Sequence, residues 1–192
     1  MRNKSKRETM IETAARIADE KGFVNLSLKE LANELGIKSP SLYKHFSGGL
    51  DELNKELMLY GWRQMDSAIT KAVIGKAKDD AIIALCHAYR KFVSEHKGLY
   101  EAMQWSNMYL SVEHLHASEG IVDIMFRILD AYGLTDEQKV HTVRMLRAFL
   151  QGFCTIECHG GYGNPVALHD TFDFSLHTLL TGISNMQGGT ET

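Results

Sequence analysis

The side chains best suited to chemistry in this chain crowd between Ser27 and Phe46. Lys38, Ser39, Ser41, Tyr43, Lys44 and His45 place two ammonium groups, two hydroxyls, a phenol and an imidazole within eight residues. Gathered on a short helix, such donors and an aromatic hydroxyl suit an element that enters the major groove of DNA. The elements needed to hold them are written into the same stretch. Ser27 and Glu30 have the spacing of a capping box, in which hydroxyl and carboxylate satisfy each other's backbone N–H. Ser27 also offers a donor to a phosphate. Leu28, Leu31, Ala32 and Leu35 form one apolar stripe at helical spacing, and Gly36 follows where a positive φ ends a helix. Pro40 suits the first turn of a second helix with Ser39 as its cap, and Leu42 and Phe46 turn inward.

These motifs resemble the N-terminal region of a TetR-family transcriptional regulator, over about Lys6 to Leu53. Residues 7–23 fit the family's opening helix and its glycine stop, Leu31 to Ile37 fit the turn, and Ser41 to Phe46 fit the recognition helix. The resemblance implies base contacts from the first turn of that helix, at Lys38, Ser39, Pro40 and Ser41. Lys38 would donate to guanine, the serines would serve either partner, and Pro40 would touch a thymine methyl. It implies phosphate contacts at Tyr43 and Lys44. His45 falls to a structural or phosphate role. One position departs from the family. Where members commonly carry a phosphate-gripping lysine, this chain reads Ser47 to Leu53 without one. Backbone N–H groups at the glycine-rich helix start are the substitute, whereas Asp51 and Glu52 would repel DNA if they faced it. A basic arm of Arg2, Lys4, Lys6 and Arg7 either meets phosphates or is simply solvated. Gln151 to Glu157 with Gly160 to Gly163 is similar to the regulatory domain of the WHG subgroup, with Gln151 in place of its usual histidine.

Other chemistry has less to build on. Cys154, Cys158 and His159 share one predicted helix, and His114 and His116 flank a leucine, but no second pair completes a zinc pattern. The cysteines therefore read as small buried residues, the histidines as surface groups, and no metal or other cofactor is expected. Glu157 is either exposed or a buried anion that attracts a cationic ligand. No nucleophile elbow, P-loop, dinucleotide fingerprint or His-Glu-x-x-His occurs, so an enzyme is not expected.

The chain has 192 residues, 44% of them hydrophobic, enough to bury a sizeable core. Its net charge of −3 divides unevenly. Residues 1–46 hold nine Lys/Arg against six Asp/Glu, whereas the remainder holds 12 against 18. A basic head on an acidic body suits contact with DNA at one end. The first residues lack an apolar signal-peptide core, no apolar run is long enough to span a bilayer, and three cysteines give no disulfide framework. A cytoplasmic, reducing setting is expected.

Two prolines and no long alternating pattern predict an all-α chain of about nine helices, near 4–21, 28–35, 39–45, 50–74, 78–95, 98–106, 112–132, 136–159 and 167–186. Residues 1–50 would form a three-helix helix-turn-helix head, and 51–192 a larger ligand-binding and dimerisation domain. The resemblance implies a homodimer through the last two helices. Val140, Val143, Met145, Leu146, Phe149 and Phe153 offer one apolar stripe; Phe172, Leu176, Leu179, Leu180 and Ile183 offer the other. Helical spacing alone does not separate interface from core. It implies also a small-molecule pocket, with Trp62, Met65, His87, Tyr89, Met103, Trp105, Met108, Tyr109, Met125 and Phe149 as candidate lining or as plain core. The expected function is a ligand-responsive regulator, a repressor binding a palindromic operator as a dimer. The alternative is a helical small-molecule-binding module with weak or lost DNA recognition.

Overall fold

A computed structural model describes residues 5–104 and 112–186. Among the described residues it contains nine α-helices and no strand: α1 (Lys6–Lys21), α2 (Leu28–Glu34), α3 (Ser39–Leu42), α4 (Gly49–Val73), α5 (Lys78–Glu95), α6 (Lys97–Met103), α7 (Val112–Leu129), α8 (Asp136–Cys158) and α9 (Leu168–Asn185). No described helix is long and apolar enough to cross a membrane. The chain divides into two compact units, residues 1–65 with 95–118 and residues 66–94 with 119–192.

In the first unit, α1 buries Met10, Ile11, Ala14, Ala15, Ile17 and Ala18 on one face. Leu31, Leu42, Phe46, Leu53 and Leu57 are fully buried in the same unit. Removing each such side chain from water stabilises the fold by roughly 1.5–3 kcal/mol. Gly22 and Gly36 take φ of 86° and 65° and end the first two helical segments, as the punctuation predicts. α6 lies against α1. A Cβ on Gly98 would sit 1.9 Å from the Ala18 carbonyl oxygen, so only glycine permits this approach. Asp19 fastens the same junction: one carboxylate oxygen accepts the Leu99 N–H at 2.8 Å, and the other lies 2.8 Å from His96 Nδ1.

In the second unit, Thr135 and Gln138 form a capping box at the start of α8. The Tyr132 hydroxyl donates to Asp79; burial and that acceptor push its pKa up. Val143, Leu146 and Phe153 of α8 and Phe172, Leu176, Leu180 and Ile183 of α9 are buried within the chain itself. These members of the two expected dimer stripes therefore fill the unit's own core, while Val140, Met145, Phe149 and Leu179 are half-buried. The outward faces of α8 and α9 carry other residues: Ala148 and Gly152 on one, Phe174, Thr178 and Gly182 on the other.

Two local expectations need correction. α3 is a single turn that ends at Leu42 rather than His45, and Lys38 rather than Ser39 is its N-cap. Ser27 does accept the Glu30 N–H at 3.1 Å, but the Glu30 carboxylate pairs with Lys21 of α1 instead of closing the capping box. A full ammonium partner outcompetes a single backbone N–H.

Candidate nucleic-acid interface

The α2–turn–α3 segment holds its outward residues by burying their neighbours. Leu42 and Phe46 have no exposed surface. Phe46 N–H bonds to the Leu42 carbonyl at 2.8 Å, so the chain from Tyr43 to His45 makes one tight turn over a fixed base. Lys38, Pro40, Ser41, Tyr43 and Lys44 are exposed, and Ser39 and His45 half-exposed. Because Lys38 takes the N-cap position without a side-chain cap bond, the Ser39 hydroxyl is not needed there. Among the described residues, neither the Ser39 nor the Ser41 hydroxyl has a hydrogen-bond partner, and Lys38 and Lys44 have no ion pair. Ser27 is half-buried and engaged as the α2 cap. The sequence-predicted DNA-contact residues from Lys38 to Lys44 thus share one turn of surface with their donors unengaged.

The basic arm behaves differently. Arg2 and Lys4 lie outside the described residues, and Lys6 is exposed at the start of α1. Arg7 is turned inward. Its guanidinium lies 4.7 Å over the Phe46 ring, donates to the His45 carbonyl, and pairs with Glu52 at 2.8 Å and Glu56 at 3.0 Å. It fastens α1 to the end of the recognition turn and to α4. No local pattern announces this role, because its partners are 38–49 residues away. The Arg7 hydrogen bond, reinforced by the Gly48 N–H, holds the Glu52 carboxyl below its usual range.

The same cluster answers the question of the missing lysine. Glu52 accepts the Gly48 N–H at 2.9 Å, and the Gly49 N–H goes to the Phe46 carbonyl at 3.0 Å. Both glycine amides expected to hold a phosphate are engaged within the chain. Glu52 is likewise turned inward to Arg7, leaving Asp51 as the exposed acid at the start of α4.

The candidate pocket residues are divided between the two units. Trp62, Met65 and Met103 are buried in the first unit, where Met103 occupies the space beside Gly61. Tyr89 and Met125 are buried in the second. Trp105, Met108 and Tyr109 lie outside the described residues. Phe149 stacks 5.2 Å from Phe172. His87 lies 3.2 Å from Asp173 and borders a cleft of about 230 Å³ shared with Arg90, Lys91, Ser94 and Glu157. Arg90 grips Glu157 through two hydrogen bonds of 2.9 and 2.6 Å and lies 4.9 Å over Phe172. Glu157 is therefore neutralised from inside, and its expected attraction for a cationic ligand is already satisfied by Arg90. Burial pushes the Cys86 and Cys154 thiols up to about 12, which keeps them protonated.

Residues 10–53 match the model of the tetR family of bacterial regulatory proteins, and residues 82–179 match that of the tetracyclin repressor-like C-terminal domain. The chain is similar to an uncharacterised HTH-type transcriptional regulator of Bacillus subtilis (strain 168), at 29% identity over 91% of this chain and 90% of that one. A second such regulator, from Mycobacterium tuberculosis (strain ATCC 25618 / H37Rv), is 32% identical over 82% of this chain and 72% of the relative. Among solved structures, a glutamine-to-alanine variant of a TetR from Acinetobacter baumannii AYE in complex with minocycline shares the fold, with a TM-score of 0.72 at 17% identity over 96% of this chain and 99% of that chain. An N-terminal helix-turn-helix joined to a helical body, matched along both parts, places the chain in the TetR family of transcriptional regulators.

Proposed function

We propose that the protein is a ligand-responsive regulator, a repressor that binds a palindromic operator as a homodimer. Residues 1–50 act as its reading head and residues 51–192 as its effector and dimerisation body. The observation that carries the reading is the unengaged donor edge from Lys38 to Lys44 on a rigidly packed base. In this reading Lys38, Ser39, Pro40 and Ser41 touch base edges, and Tyr43 and Lys44 hold phosphates with Ser27. His45 serves structurally, through the carbonyl that Arg7 holds.

One head covers too little duplex for tight recognition, and two heads about 34–36 Å apart meet successive major grooves. The outward faces of α8 and α9 support a second copy. A Cβ at Gly152 or Gly182 would meet nothing within the chain. A mid-helix glycine costs about 1 kcal/mol relative to alanine, and nothing in the chain's own packing requires it. Close approach of a partner helix does, with the exposed Phe174 ring as an apolar anchor. The α1–α6 junction supports ligand response. α6 is clamped to the head through Asp19 and Gly98, so an effector that displaces α6 also displaces α1. Such an effector acts only through different affinity for the two arrangements. Minocycline, which the structural neighbour is in complex with, is a first effector to try.

Fluorescence anisotropy with DNA from upstream of the gene tests the reading. Selective binding that weakens steeply with salt supports it. Equal affinity for random duplex would favour the second reading, a helical small-molecule-binding module, which the engaged Gly48 and Gly49 amides support.

A further inference from the structure

We propose that the cleft formed by the end of α4, the start of α5 and the end of α7 binds a small amphipathic monoanion, an aliphatic or aryl carboxylate. The cleft has a volume of about 320 Å³, within the range of roughly 300–1,000 Å³ typical of ligand sites. Its floor is apolar, with Val73, Ile124 and Ile128 half-buried. Its rim carries three exposed cations, Lys76, Lys78 and Arg127. None of the three pairs with a carboxylate among the described residues. That concentration is unusual in a body where acids outnumber bases 18 to 12 beyond residue 46.

The neighbouring acids are accounted for in part: Asp79 accepts from Tyr132 and Asp130 pairs with Lys139. Asp80 and Asp123 are exposed and unpaired nearby, which limits the site to a single negative charge. The backbone adds a second, independent observation. Lys78 opens α5 at φ 49°, and it is the one non-glycine residue with positive φ among the described residues. Backbone held in this region gathers at ligand clamps. Three cations over a short apolar floor match a carboxylate with a hydrocarbon body. They do not match a polyanion, which would leave the floor unused, or a cation. The cleft shares no residue with the candidates around His87 and Phe149.

Calorimetric titration of the full chain with decanoate, in the absence of DNA, tests the site. Decanoate should bind, decylammonium should not, and the Lys76→Ala/Arg127→Ala variant should bind decanoate about tenfold more weakly. Hydrogen exchange should slow on residues 73–78 and 124–131 when decanoate binds. No binding, equal binding of decylammonium, an unaffected variant, or protection confined to other segments would each overturn the proposal. Arg127 also complements the carbonyl end of α7. If that is its whole role, the variant loses thermal stability while the wild type shows no decanoate binding. Because the readout omits DNA, failure of operator recognition leaves the result intact.

Discussion

The exposed edge from Lys38 to Lys44 and the corner of Arg7, Glu52 and Glu56 belong to one compact unit and treat charge in opposite ways. At the corner every charge is answered: Arg7 by two carboxylates, a carbonyl and a ring, and Glu52 also by the Gly48 amide. At the edge, Lys38, Lys44 and the hydroxyls of Ser39 and Ser41 have no partner among the described residues. A group satisfied within the chain stabilises the fold and has little left for a ligand. A group with none costs the fold little to keep in water and is available for DNA. Charge type does not separate the two, since both regions contain basic residues near the N-terminus. Only partners separate them.

Substitutions sharpen this contrast. The largest effect on folding is expected at the corner. Arg7→Ala removes the ion-pair partner of Glu52 and Glu56 and the side-chain donor to the His45 carbonyl, and should lower the thermal midpoint by about 5 °C, measured by calorimetry. An unchanged midpoint would erase the distinction between corner and edge. At the edge the effects fall on DNA instead. Lys44→Ala and Tyr43→Phe should weaken binding to all sequences alike. Lys44→Ala should also reduce the slope of log affinity against log salt by about one, with stability within about 0.5 kcal/mol of wild type. The Gly152→Leu/Gly182→Leu variant should become monomeric in sedimentation and lose tight operator binding while its helices remain intact. A dimer that persists would remove the proposed role of those faces.

Smaller still is the effect of acid. Arg7 holds the Glu52 carboxyl below its ordinary value of 4.5. The stability contributed by the pair is present above that value and is lost as pH falls through the lower folded value. The midpoint of the wild type should therefore drop more steeply below about pH 4.5 than that of Glu52→Gln. Ser41→Ala should leave affinity for the best site nearly unchanged while altering base preference at one position. A preference profile identical to wild type would assign Ser41 to the backbone instead.

Helix order and most ends were legible in the chain because they rest on local chemistry. Gly22, Gly36 and Gly133 adopt the positive φ that ends a segment, and Thr135 with Gln138 caps α8 as their spacing demands. Where reading by spacing failed, a partner distant in sequence intervened. Glu30 turned from its own helix end to Lys21, and Arg7 turned from the solvent arm to Glu52 and Glu56. α3 ended three residues early, since the Phe46 anchor draws Tyr43 to His45 into a turn. The stripes of α8 and α9 were correctly read as apolar, but apolar spacing is the same for core and interface. Their buried members proved to be core, which leaves the small residues Gly152 and Gly182 outside.

The sequence by itself determined an all-helical chain and the helix-turn-helix at its start. Those follow from capping, periodicity and turn chemistry, which act over four residues or fewer. Only the tertiary structure decided which of the basic and acidic residues are answered inside the fold. Ion pairs and ring contacts form between side chains that the chain itself separates by dozens of residues, and no local pattern encodes them.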